Sequence, residues 1–290
     1  MSDSNNDETS QKNSFRFGAR EHVASGAASL LEFIEHRLSE ESPRPALSSL
    51  ELVELGSVHI NEERCLNPDR RLKPGDKVRI HTSPRRYSKP ENLRSRIRQE
   101  DSEVFVIEKP GGLPSSPEVD NIKENLLSFL EEDFGQHLYL VTALDTESSG
   151  LVVIAKTSSG YEKLKTAFRE NRIKRIIAAF VEHAVPIGLH DNGVKVLSCE
   201  PRLGATSVVT EGQMSWELKP VGTQIDNAEV LSHYRLEIEL SEARPLEMRQ
   251  TLSKLGSPIL GDRTHGSKYE TISTETGKKT PAFQVTGFYF

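Results

Sequence analysis

The sequence predicts an α+β protein in two parts. A small helix-rich unit comes first, followed by a mixed, mainly antiparallel sheet domain with flanking helices. Three observations carry this reading. Two amphipathic helix patterns precede the turn Leu72-Lys73-Pro74-Gly75-Asp76 and the alternating strand Lys77-Val78-Arg79-Ile80. A cation-rich stretch with two prolines, Ser83 to Arg98, then breaks the pattern. From Asp101 onward, short apolar strands alternate with amphipathic helices.

Taken in order, residues 1–14 are polar, lack an apolar signal core and read as a disordered tail. The small unit is expected over 15–86. Ala27 to Leu38 places Leu30, Leu31, Phe33, Ile34 and Leu38 on one helical face. A second helix over Ser48 to Leu55 is stopped by Gly56. Val58-His59-Ile60-Asn61 then leads into a turn. Residues 87–100 read as an exposed basic linker. In the large domain, 101–290, Val104–Ile107, Leu151–Ala155, Ile176–Val181, His233–Leu240 and Phe283–Phe290 have strand patterns. Ile122–Phe134, Tyr161–Glu170 and Leu246–Leu255 have helix patterns.

Composition narrows the function classes. No apolar run approaches the roughly 20 residues needed to span a bilayer. Cys65 and Cys199 lie far apart without pairing or zinc spacing, so neither a disulfide framework nor a metal site is expected. A reducing, cytoplasmic setting follows as an expectation. The net charge of -6 speaks at first against a nucleic-acid partner. Its distribution speaks for one: Gly56 to Arg98 holds 12 Lys or Arg against 5 Asp or Glu.

The richest segment runs from Thr142 to Lys156, T-A-L-D-T-E-S-S-G-L-V-V-I-A-K. Asp145 sits in a polar loop that feeds an apolar strand. By itself, a lone Asp ahead of a Gly reads as a turn residue. Leu144, Asp145, Ser149, Gly150, Leu151, Ala155 and Lys156 nevertheless resemble the H-R-L-D-x-x-T-S-G-L-x-x-x-A-K motif of the RluA-like pseudouridine synthases; Thr142, Ala143 and Ser148 depart from it. Three further segments resemble that family in the right order. Val106 to Pro114 is similar to V-x-x-K-P-x-G-L-P and contains Lys109, which either faces phosphate or faces the active carboxylate. Lys174 to Val181 is similar to K-x-Y-x-A-x-V, with Ile176 where the family has Tyr. Arg244 to Leu252, followed by Leu255 to Asp262, is similar to G-R-x-H-Q-I-R-x-H-L and L-G-x-P-I-x-G-D, without the family's histidines or Gln. The small unit resembles the alpha-L RNA-binding module through Gly56, Val58, Asn61, Pro74, Gly75, Asp76, Val78 and Ile80.

The resemblance implies a pseudouridine synthase fold and isomerisation of uridine to pseudouridine in rRNA or tRNA, with no metal or organic cofactor. It implies Asp145 as the catalytic carboxylate, acting on the ribose as nucleophile or base, and Arg249 as its ion partner. Ile176 takes the base-stacking position and Ala143 replaces an Arg that helps fill the place of the flipped base. An isomerase weakened by these two changes is expected; the alternative is a catalytically impaired RNA-binding or ribosome-associated protein on the same scaffold. Arg85, Arg86, Lys89, Arg94, Arg96 and Arg98, with Lys109, are the expected RNA-binding cations. His137, His183, His190 and His265 are scattered and read as surface or internally satisfied groups.

Overall fold

The computed structural model describes residues 18–40, 46–191, 193–202, 208–211, 214–220, 233–240 and 245–289. The tail 1–14, Arg244 and Phe290 lie outside the described residues. The chain forms two compact units, one up to Arg86 together with Glu118–Lys123, the other Tyr87–Pro117 with Glu124–Phe290.

In the first unit, β1 (Ala19–Val23) and β2 (Ala28–Ser29) lead into α1 (Leu30–Ser39) and then α2 (Ser49–Glu54). Each helix begins where a serine hydroxyl can accept an orphan backbone N–H. Ser29 accepts from Glu32, and Ser48 forms a reciprocal capping box with Glu51. The strands β3 (Val58–Ile60), β4 (Glu63–Arg64), β5 (Arg71–Leu72) and β6 (Lys77–His81) follow. Asn61 and Glu62 both take positive φ, 52° and 73°, which is the geometry of a two-residue hairpin loop between β3 and β4. Asp76 fixes the following turn by accepting from the Lys73 N–H and the Asn61 amide, at 2.8 and 2.9 Å. Those two bonds hold its carboxyl below the usual range. Leu30, Ile34, Leu38, Leu52, Val53, Val58, Val78 and Ile80 close the core, the face that the helical spacing selects.

The second unit is built on a nine-stranded sheet. Its strands are β7 (Ile97–Glu100), β8 (Val104–Lys109), β9 (Tyr139–Leu140), β10 (Ser149–Ala155), β11 (Lys174–Val181), β12 (His190–Asp191), β13 (Val194–Arg202), β16 (His233–Leu240) and β18 (Phe283–Tyr289). The spatial order is β12-β13-β16-β11-β18-β10-β8-β7, with β9 on β10. Among the described residues, only the β10–β18 pair is parallel. A smaller sheet joins β14 (Val208–Glu211), β15 (Met214–Pro220) and β17 (Tyr269–Ser273). Trp216 on β15 is buried against Phe180 and donates to the Thr280 hydroxyl at 3.2 Å.

The unbroken apolar run of β10 has a simple cause. Val152 and Ile154 face one core with α3 (Leu126–Phe134) and α5 (Pro245–Lys254). Val153 and Ala155 face another with α4 (Ser158–Arg169). A strand covered on both faces needs no polar alternation. Helix α3 is shorter at its start than the apolar spacing suggests, because Asn125 caps it by accepting from the Ser128 N–H. The strands β7 and β17 have no clear apolar alternation, and only tertiary pairing makes them strands; β15 does alternate, with Met214, Trp216 and Leu218 between polar residues. Among the described residues, no helix is long and apolar enough to cross a membrane.

Candidate active site

Asp145 lies on the loop between β9 and β10, and the chain around it is tied down on three sides. The Ser148 N–H donates to Asp145 Oδ1 at 2.7 Å, and the Ser148 hydroxyl donates to the same oxygen. The Leu144 N–H donates to the Ser115 hydroxyl at 3.0 Å, and that hydroxyl donates back to the Leu144 carbonyl at 2.6 Å. The Gly112 N–H donates to the Thr146 carbonyl at 2.6 Å. The segment after Lys109 and the Asp145 loop are therefore stitched together, which explains why two motifs far apart in sequence belong to one site.

Gly150 is required where this loop enters the sheet. It has φ +119°, and a Cβ there would lie 2.3 Å from the Val285 nitrogen and 2.5 Å from its carbonyl oxygen. The parallel approach of β10 to β18 leaves no room for a side chain. That fixes the register at Ser149, whose hydroxyl donates to the Phe283 carbonyl at 3.0 Å.

Arg249 reaches the loop from α5, 104 positions along the chain from Asp145. Its Nη1 donates to Asp145 Oδ2 at 3.2 Å. Its other two donor positions are taken by carboxylates as well. Nε and Nη2 grip Asp262 Oδ2 and Oδ1 at 2.7 and 2.9 Å, and Nη2 also lies 3.3 Å from Glu147 Oε2. The Arg249 side chain is 6% exposed and that of Asp262 1%, whereas Asp145 keeps 40% of its surface. The pair thus has a buried floor and an open carboxylate.

The electrostatics follow from that burial. Desolvation works against the Arg249 charge, but the hydrogen bonds of Asp262 and the fields of Asp262, Asp145 and Glu147 outweigh it and raise its pKa. Burial likewise works against ionised Asp262, and the bonds from Arg249 and His265 overcome it, so its pKa is lowered. A permanent cation, the Arg249 guanidinium, thus faces the open carboxylate of Asp145.

Lys109 does not stand where a phosphate-binding cation would. It is fully buried, and its Nζ donates to the carbonyls of Pro110 and Leu113 at 3.0 and 2.7 Å and lies 3.5 Å from that of Thr146. Burial pushes its pKa down to about 7, against the pull of Asp145. It braces the two stitched loops from below. The sequence expectation of an RNA contact fails here because the strand end of β8 turns inward under the Asp145 loop.

The basic stretch also differs from a free cationic linker. Lys89 pairs with Asp133 at 2.5 Å and with Glu132 at 3.4 Å. Arg94 lies 4.2 Å from the Phe134 ring centre and donates to the Asp133 carbonyl at 3.0 Å. Arg96 pairs with Glu275, and Arg98 with the buried Glu108. Tyr87 and Leu93 are buried and Ile97–Glu100 is β7. Arg85 and Arg86 are exposed on the first unit, where the Arg85 N–H donates to Asp120 at 3.1 Å. The counter-charges come from distant segments, so local composition overstates the free positive charge.

Ile176 is half-buried on β11, paired with Glu239 and Gly287. The ion pairs and hydrogen bonds that join Asp145, Glu147, Arg249 and Asp262 do not extend to it. Sequence reading missed Asp262, Glu147 and Ser148 as parts of the site. A carboxylate immediately after Gly261, at the end of the fourth motif, was the available signal for Asp262.

The chain is also similar to known proteins. A family model described as RNA pseudouridylate synthase matches residues 103–279. A protein of Aquifex aeolicus (strain VF5) named as an uncharacterized RNA pseudouridine synthase is 28% identical over 243 residues, 77% of this chain and 73% of its own. The ribosomal large subunit pseudouridine synthase D of Neisseria meningitidis is 28% identical over 224 residues, 73% of this chain and 57% of its own. Among solved structures, the human RNA pseudouridylate synthase domain containing 4 aligns over 68% of this chain and 84% of its own, at 15% identity and a TM-score of 0.43.

Proposed function

Since this chain belongs to the RNA pseudouridylate synthase family, we propose that Asp145 is the carboxylate with which it acts on the target nucleotide and that Arg249 holds it ready. The chain is an RNA pseudouridine synthase. In the reaction the uracil leaves the anomeric carbon through N1, turns, and rejoins through C5. The C5 hydrogen departs as a proton and N1 gains one, so the product is an isomer of the substrate. The carboxylate acts on the ribose, as nucleophile at the anomeric carbon or as base at its neighbour, and both roles need an ionised oxygen. The observation that carries the assignment is the guanidinium of Arg249, buried and aimed at a carboxylate that is itself open to a flipped nucleotide.

Ribosomal RNA is the substrate class we favour over transfer RNA, on the printed name of the Neisseria meningitidis relative. The first unit is proposed as the RNA-binding module, with Arg85 and Arg86 its exposed cations nearest the chain boundary at 86. Tritium release from RNA labelled at uridine C5 tests the whole reading. Wild type should release label from ribosomal RNA, and Asp145→Ala should release about a thousandfold less. Equal release from both proteins would remove Asp145 from the mechanism.

A further inference from the structure

We propose that His265 is a positioning residue for the isomerisation: it binds the same buried carboxylate that grips Arg249, and so fixes the guanidinium that faces Asp145. The proposal rests on the assignment of Asp145 and Arg249 given above and extends it by one layer.

The geometry is a chain of contacts. His265 Nδ1 lies 2.9 and 3.0 Å from the two oxygens of Asp262. The same oxygens receive Arg249 Nε and Nη2. Asp262 is 1% exposed and His265 13%, so water does not compete at this carboxylate as it would on the surface. Asp262 is held ionised, its carboxyl well below the usual range: burial opposes the charge, and the hydrogen bonds from Arg249 and His265 prevail. An ionised carboxylate only accepts, so Nδ1 is the nitrogen that carries the proton.

The backbone enforces the same arrangement. Residues Arg263–His265 form a single 3-10 turn, and the His265 N–H donates to the Asp262 carbonyl at 3.1 Å. Ser253 stands one helical turn beyond Arg249 on α5, and its hydroxyl donates to the His265 carbonyl at 2.6 Å. The turn is thus docked on the helix at two points four residues apart. Gly261 lets the chain pass beside β17, since with φ +80° a Cβ there would lie 1.8 Å from Thr271 Oγ1. Without the imidazole, Asp262 has one side chain to hold it instead of two. The guanidinium then has freedom to drift from Asp145, and displacements of about 1 Å cost up to about a hundredfold in rate.

Two substitutions separate positioning from mere packing. His265→Leu fills the space and removes the donor; His265→Asn restores an N–H donor close to the Nδ1 position. We expect His265→Leu to lower the single-turnover rate of isomerisation about tenfold, with RNA affinity within twofold of wild type, and His265→Asn to recover most of the rate. A second readout needs no activity: nitrogen-15 NMR of the arginine side chains. The Arg249 Nε–H should exchange slowly with solvent in wild type and His265→Asn, and rapidly in His265→Leu. Unchanged Arg249 exchange in His265→Leu overturns the proposal, whatever the rates show. Equal rate losses in the Leu and Asn variants, tracking a fall in melting temperature, also overturn it. If the exchange differs as expected but wild type releases no tritium from any RNA, the anchor stands and the assignment of the reaction to Asp145 falls.

Discussion

The surroundings of Asp145 and the stretch from Arg85 to Arg98 are both rich in charge, and folding treats them in opposite ways. At Asp145 it concentrates charge: one buried arginine meets three carboxylates drawn from two segments about a hundred residues apart. In the basic stretch it dissipates charge: Lys89, Arg96 and Arg98 meet Asp133, Glu275 and Glu108, and Arg94 lies on a phenyl ring. The difference lies in burial. Arg249 is 6% exposed and cannot leave its partners without stranding a charge, whereas Lys89 is 32% exposed and exchanges its partners for water. A run of like charges in a sequence therefore says less about a binding surface than a single charge that the fold buries.

The largest expected contrast comes from deleting one cation in each region. Arg249→Leu leaves the buried Asp262 carboxylate without its guanidinium, held by His265 alone, and should cost about 3–5 kcal/mol of stability along with the activity. Urea titration of that variant against wild type checks the stability. A loss below about 1 kcal/mol would mean that the buried cluster is held no more tightly than a surface pair.

Next in size is the effect of an aromatic group at position 176. In the family resemblance this position stacks on the target base, and Ile176 offers no ring. Ile176→Tyr should raise turnover by about tenfold to a hundredfold, the value of a stack of roughly 1–3 kcal/mol. Steady-state kinetics on ribosomal RNA is the measurement. No change would show that the charged cluster, not base capture, limits this enzyme.

A pH effect isolates the lysine under the loop. Burial lowers the Lys109 pKa to about 7 in the folded protein, while the unfolded chain keeps the ordinary value near 10.4. Between these values the unfolded state binds more protons, so stability rises with pH. The penalty for burying the ammonium is complete below about pH 7 and is relieved as pH climbs towards about 10.4. The stability of wild type relative to Lys109→Met should increase across this window by up to about 1.4 kcal/mol per pH unit. A flat difference from pH 7 to 10 would show that Lys109 keeps its proton inside the fold.

The smallest effect belongs to the basic stretch. Lys89→Gln and Arg94→Gln should each cost at most about 1 kcal/mol, as exposed pairs do. Because Lys89 faces Asp133 and Arg94 lies on the Phe134 ring, the salt dependence of RNA binding should change little in the Lys89→Gln/Arg94→Gln variant relative to wild type. Filter binding at several salt concentrations compares the two. A steeper loss on neutralising Lys89 and Arg94 would return the RNA contact to the 87–100 segment.

Much of the fold was legible because local chemistry dictates it. Ser48 marks a helix start, Gly75-Asp76 marks a turn, and Leu151–Ala155 marks a buried strand; the first helix begins after the Ser29 cap rather than at Ala27. Asp145 and Arg249 were legible by a different route, through the order and spacing of motifs that resemble a family. By itself, the sequence determined the α+β class and the succession of a small and a large unit; the pairing of one carboxylate with one arginine came from the resemblance. Only the tertiary structure decided that Lys109 turns inward, that Asp262 and His265 stand behind Arg249, and that Lys89, Arg96 and Arg98 meet carboxylates. Those outcomes depend on which groups meet across the fold, and on how far burial removes water from between them. A charge carries its sign in the sequence, but its partner and its exposure are properties of the packed chain.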